Sequence, residues 1–209
     1  MAQQARNKQI GILVIGVSLT IALSILAVFA YRRLTLTAVG LSLPHSWWPT
    51  IAFAVAWLRV MLAYSPLADW LASRWIAAPP TLEAFRAIQQ SPSKLIVGIV
   101  VAWLLGAGLE EFVFRGIVLN AVALLLKPWL IVPLATGVAV CTAALGAGLL
   151  HCYQGQRAMV IITQLSVLFG VLYVISGGNL WAVMLCHGLY DTIAFIRFAG
   201  KKSKYARLD

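Results

Sequence analysis

Gly108–Ile117 reads GLEEFVFRGI. It lies between two uncharged apolar runs, Leu95–Leu109 upstream and Ile117–Leu126 downstream. Two carboxylates and a guanidinium thus interrupt a segment otherwise suited to a membrane. Whether that segment is a span decides the fold, and composition answers. The chain has 209 residues, of which 62% are hydrophobic and 11% charged. A soluble domain carries about 25% charged and 45–50% apolar residues. The balance here describes an all-α, polytopic transmembrane bundle forming a single integral domain over 1–209.

A hydrocarbon core about 30 Å thick takes roughly 20 apolar residues in helical form. That criterion predicts six spans: 10–31, 48–66, 95–126, 129–151, 158–176 and 179–199. The first follows a basic start, but its apolar core is too long for a signal peptide, so it reads as a retained helix. The second carries Arg59 and is expected to stop at Pro66. The third is too long for one straight crossing, so it tilts, projects into water or breaks near the charged stretch. Region 67–94 has a Pro-Pro stop and reads as an interfacial helix plus a loop. The chain divides into N-terminal helices and that interfacial segment (1–94), core helices (95–199) and a basic tail (200–209).

The formal charge is +10, but the basic residues flank apolar segments rather than form a nucleic-acid groove, so no nucleic-acid partner is expected. With six spans, Arg6, Lys8, Arg74, Arg86, Lys94, Arg157, Arg197, Lys201, Lys202, Lys204 and Arg207 fall on one side. Arg32, Arg33 and Lys127 fall on the other. The positive-inside rule then places both termini in the cytoplasm, in a bacterial inner membrane. Trp47, Trp48, Trp70, Trp75 and Trp129 are placed to form interfacial belts. Cys141, Cys152 and Cys186 are an odd set in apolar surroundings, not a disulfide framework.

The chain has six acidic residues and three histidines. Glu110, Glu111, Asp191, His151 and His187 fall within predicted spans. An ionised group at a helix centre costs about 2.5–3.5 kcal/mol on insertion scales, so such groups pair, face a watery cavity or do chemistry. Glu111 and Arg115 stand at i and i+4, the spacing of an ion pair on one helix face. Glu110 points elsewhere, has no basic neighbour at that spacing, and is the carboxylate free for general acid–base work. His187 and Asp191 are also at i and i+4, so the carboxylate can orient the imidazole. Small residues Ala143, Ala144, Gly146, Ala147 and Gly148 precede His151 and permit close helix approach. Asn120, Gln164 and Ser166 are expected to make interhelical hydrogen bonds. Arg59 is expected to snorkel or to pair with Asp69.

These residues carry a resemblance. EEFVFR (Glu110–Arg115) is similar to the E-E-x-x-x-R motif of the CPBP intramembrane proteases, the group that includes the type II CAAX prenyl endopeptidases. His151 stands for that family's second motif, F-x-x-x-H, although Ala147 occupies the phenylalanine position. His187 and Asp191 stand for the third, H-x-x-x-N/D. The resemblance covers roughly 95–199 and implies hydrolysis of a peptide bond within the bilayer. Glu110 and His151 would activate a water, His187 and Asp191 would stabilise the oxyanion, and Glu111 with Arg115 would hold the helix. It implies a membrane-associated or lipidated peptide or protein as substrate; from the residues, with no H-E-x-x-H, no cofactor is expected.

Other readings stay open at this level. A zinc-dependent version of the same protease could use His151, His187 and Glu110 as ligands, although the chain has no H-E-x-x-H. Intramembrane carboxylates and histidines also build proton-relay transporters, but no inverted repeat is visible. A non-proteolytic scaffold on the same bundle is the third alternative. One geometric tension accompanies the protease reading. Counted from Leu95, Glu110 lies about 23 Å along its helix at 1.5 Å per residue, whereas His151 ends its own span.

Overall fold

A computed structural model describes residues 35–205 of the chain, with side chains through residue 200. The expected first span, 10–31, lies outside the described residues. Five helices follow: α1 Trp47–Ser73, α2 Pro92–Leu126, α3 Val132–Leu150, α4 Gln156–Ile175 and α5 Leu180–Tyr205. Each is long and apolar enough to cross a membrane, α5 over Leu180–Gly200. No strand occurs among the described residues. The chain is an integral membrane protein built as a helical bundle.

The helices alternate in direction. One end of the bundle carries the turns after α1 and α3 and the end of α5, with Arg74, Arg86, Lys94 and Arg157. The other carries the α2–α3 and α4–α5 turns, with Lys127. Exposed tryptophans mark both ends: Trp70 and Trp75 at the first, Trp47, Trp48 and Trp129 at the second. Indole rings prefer that depth because one edge is apolar and the other donates to water or headgroups.

α1 does not stop at Pro66. Proline removes one backbone donor. Ser65 Oγ donates to the Met61 carbonyl 3.0 Å away, and Met61, Ala68 and Ala72 are fully buried on either side. That hydroxyl does not reach the Leu62 carbonyl orphaned by Pro66, so burial of the flanking residues is what carries the helix through the defect. Asp69 therefore lies inside α1, and its partner is Arg157 of α4, with Nη2 2.8 Å and Nε 2.9 Å from Oδ1. The expected Arg59 partnership fails because ten helical residues span about 15 Å. The interfacial element of region 67–94 is shorter than expected, a 3-10 turn at Glu83–Gln89. It docks on α5 through Phe85 against Phe195 (ring centroids 5.5 Å apart) and through Gln89 Nε2 donating to the Phe198 carbonyl at 2.9 Å.

α2 starts cleanly. Ser91 caps it by accepting from the Lys94 amide, and Pro92 takes the first position, where its missing donor costs nothing. The helix then runs unbroken for 35 residues. Rather than breaking at the charged stretch, it widens to π-helical turns over Ala102–Glu110 and Phe112–Leu119. In that wider turn successive side chains diverge by less than the about 100° of an α-helix, so Glu110 and Glu111 both serve one side of α2.

The depth tension resolves through unequal lengths. α3 packs against residues 112–126 of α2, while Ala102–Glu110 packs on α5. The first half of α2 therefore projects past the end of α3, and His151 meets Glu110 where α3 stops. α3 and α4 approach closely through Ala139, Ala143, Ala147 and Gly148, all buried. Asn120 Nδ2 donates to Tyr173 Oη at 2.8 Å, joining α2 to α4.

Candidate active site

Four segments meet where α3 ends: the middle of α2, the turn after α3, the middle of α4 and the middle of α5. Glu111 is completely buried and Arg115 is 2% exposed. Arg115 Nη1 lies 3.2 Å from both Glu111 carboxylate oxygens. Its Nη2 donates to the Ser166 carbonyl at 2.8 Å and to Ser166 Oγ at 2.5 Å, and its guanidinium sits 5.5 Å from the Phe169 ring centre. The ion pair spans α2 internally and ties it to α4.

Glu111 does more than pair with Arg115. Its Oε1 lies 2.6 Å from His187 Nδ1. The other imidazole nitrogen, Nε2, lies 3.4 Å from Asp191 Oδ2. The imidazole thus lies between two carboxylates, held tightly on the Nδ1 side and more loosely on the Nε2 side. Phe169 stacks on the imidazole face at 4.6 Å between centroids, with 22° between planes. Glu111, Arg115, His187, Phe169 and Ser166 thus form one packed assembly across α2, α4 and α5.

Glu110 stands apart from it. Its side chain is 22% exposed, and its Oε1 lies 3.8 Å from His151 Nε2. His151 Nδ1 donates to the Ala147 carbonyl at 2.8 Å. That carbonyl only accepts, so Nδ1 carries the proton and Nε2 faces Glu110. Tyr153, in the 3-10 turn that follows, stacks on the His151 ring at 5.9 Å. Burial pushes the Tyr153 phenol above its ordinary value, so it stays protonated at neutral pH. The turn is anchored by the Thr81 amide, which donates to the Gln154 carbonyl at 2.8 Å. Gly155, at φ +95°, then turns the chain into α4.

Glu110, Glu111, His151, His187 and Asp191 all line one cavity of about 1170 Å³. It extends from Arg115 along the projecting half of α2 to Ser93 and Lys94, bounded by the Glu83–Gln89 turn and by Phe195 and Phe198 of α5. Its walls are apolar away from the charged cluster. Three contributors carry no motif in the sequence. Phe169 acts through packing on the His187 ring, and Ser166, expected to bond between helices, accepts from Arg115. Gly106 leaves the wall open, because a Cβ there would come within 3.1 Å of Asp191 Oδ2 and 3.7 Å of His187 Nε2. The one available signal is the run of small residues Gly106, Ala107 and Gly108 inside a span.

A polytopic helical bundle that holds carboxylates and imidazoles around a deep, largely apolar cavity defines a membrane protein with an intramembrane polar site. The family model described as Type II CAAX prenyl endopeptidase Rce1-like matches residues 92–193. Those residues contain all the site groups, and over them the chain is similar to that family of peptidases, hydrolases that cleave peptide bonds. No curated protein and no solved structure matches the chain.

Proposed function

We propose that the chain cleaves a membrane-associated or lipidated peptide with a water activated by Glu110 and His151. The observation that carries this reading is the approach of Glu110 Oε1 to 3.8 Å from His151 Nε2 at the cavity wall. A water about 2.8 Å from each atom subtends an angle of about 85° between them, within hydrogen-bonding geometry for its two partners. Glu110 takes the water proton as the oxygen attacks the scissile carbonyl, then passes it to the departing amine. His187 Nε2–H donates to the oxyanion. One such donor contributes about 2.7–4 kcal/mol to the transition state. Glu111, held by Arg115, keeps the other side of the ring in place. Asp191, as a carboxylate, accepts rather than donates and aligns Nε2–H.

A metal-free mechanism is supported by how the alternative ligands are engaged. Both nitrogens of His187 face carboxylates. Among the described residues no three His, Cys, Asp or Glu side chains gather in a metal-binding cluster. The end of the bundle where the cavity reaches Lys94 carries most of the basic residues. The positive-inside rule therefore faces it, and the end of α5, to the cytoplasm.

Glu110→Gln tests the reading. Removing a general base lowers the rate by about 10²–10⁴. In detergent micelles, E110Q should lose cleavage of a farnesylated CAAX-type peptide while melting within a few degrees of the wild type. Cleavage by E110Q at wild-type rate would refute the role. Proton flux through proteoliposomes without cleavage would favour the transporter.

A further inference from the structure

We infer that His187 and Asp191 form a donor–acceptor clamp for the backbone of one extended substrate residue, with Gly106 leaving the Asp191 carboxylate unobstructed. The inference rests on the peptidase reading above and deepens it.

Three observations converge. His187 Nε2 and Asp191 Oδ2 lie 3.4 Å apart, longer than a good N–H···O bond, so neither group is saturated by the other. Asp191 is 24% exposed and lines the cavity, with an acceptor-only head and a second oxygen to spare. Gly106 abuts this pair from α2, where a Cβ would press on Asp191 Oδ2 at 3.1 Å and displace it. Glu110 and His151, where the attacking water is placed, line the same cavity. An extended residue presents its N–H and C=O along the same edge, as residues in hydrogen-bonded antiparallel pairs do. The carbonyl under attack faces His187 Nε2–H, and the N–H of the same residue faces Asp191. An amide at position 191 would offer the oxyanion a donor. The carboxylate instead recognises the substrate's own donor.

A matched pair of farnesylated CAAX-type peptides tests this. One is the amide. In the other, an ester oxygen replaces the N–H of the residue whose carbonyl is cleaved. A hydrogen bond to a charged acceptor corresponds to about 10–100-fold, so the wild type should lose that factor in kcat/KM on the ester. Asp191→Ala should cleave both peptides with equal kcat/KM. Asp191→Asn keeps an acceptor oxygen and should retain an intermediate preference. Gly106→Ala should weaken both peptides by pressing on the Asp191 carboxylate. Equal cleavage of amide and ester by the wild type overturns the clamp while leaving the peptidase intact, as does an undiminished ester penalty in Asp191→Ala. No cleavage of either peptide by the wild type overturns the peptidase reading and the clamp with it.

Discussion

Arg115→Met places the heaviest demand on the site's architecture. Methionine preserves much of the volume but removes the cation between Glu111 and Ser166. Glu111 has no exposed surface, so its charge is left with His187 as its facing donor, and the two hydrogen bonds to Ser166 disappear. Removing one member of a buried pair costs about 3–5 kcal/mol. For a chain of this size, about 2–4 °C of Tm accompanies each kcal/mol, which gives a fall of about 6–20 °C. Thermal unfolding in a single detergent, followed by helical circular dichroism, measures it. Arg115→Met combined with Glu111→Gln removes both charges and should melt above Arg115→Met alone, because no carboxylate is left buried without its cation. The reasoning fails if Arg115→Met melts within 3 °C of the wild type, or if the double variant loses the sum of the two single losses.

Other outcomes follow from separate contacts. Gly148→Ala would drive a Cβ against Thr163 Oγ1 and within 2.9 Å of the Met159 carbonyl. Overpacking of this kind costs about 1–3 kcal/mol, and adding Thr163→Ala should recover part of the lost Tm. Arg157→Ala breaks a pair whose Asp69 side chain is 49% exposed. Pairs of that kind contribute about 0.2–1 kcal/mol, so a small salt-sensitive drop in Tm with unchanged kcat is expected. Dialysis against a strong zinc chelator should leave cleavage of the farnesylated peptide unchanged; loss of activity restored by stoichiometric zinc would reverse the mechanistic reading.

Local spacing made some of this architecture legible and left the rest hidden. The Glu111–Arg115 and His187–Asp191 pairs could be read directly because both lie within one helical turn. Span positions followed from apolar length, which the bilayer dictates. Pro66 misleads because its local signal is a stop, whereas the buried neighbours Met61, Ala68 and Ala72 hold α1 together through it. The contact of Glu111 with His187 joins residues 76 positions apart, and no periodicity encodes it. Glu110 and His151 were paired on family resemblance, since nothing in their own segments brings two helix ends to one depth. Gly106 was invisible as a site residue because its contribution is the absence of atoms.

The mismatch between α2 and α3 reaches beyond the site. At 1.5 Å per residue, 19 residues of α3 match a hydrocarbon core of about 30 Å, whereas 35 residues of α2 run to at most about 52 Å. Lipids on adjacent flanks of one molecule meet greasy walls of very different height. The annulus must tilt, thin or thicken from one flank to the next. Acyl-chain length in a reconstituted membrane is therefore a tuning knob on how wide the mouth beside α2 stands, and hence on turnover, with no change to any amino acid.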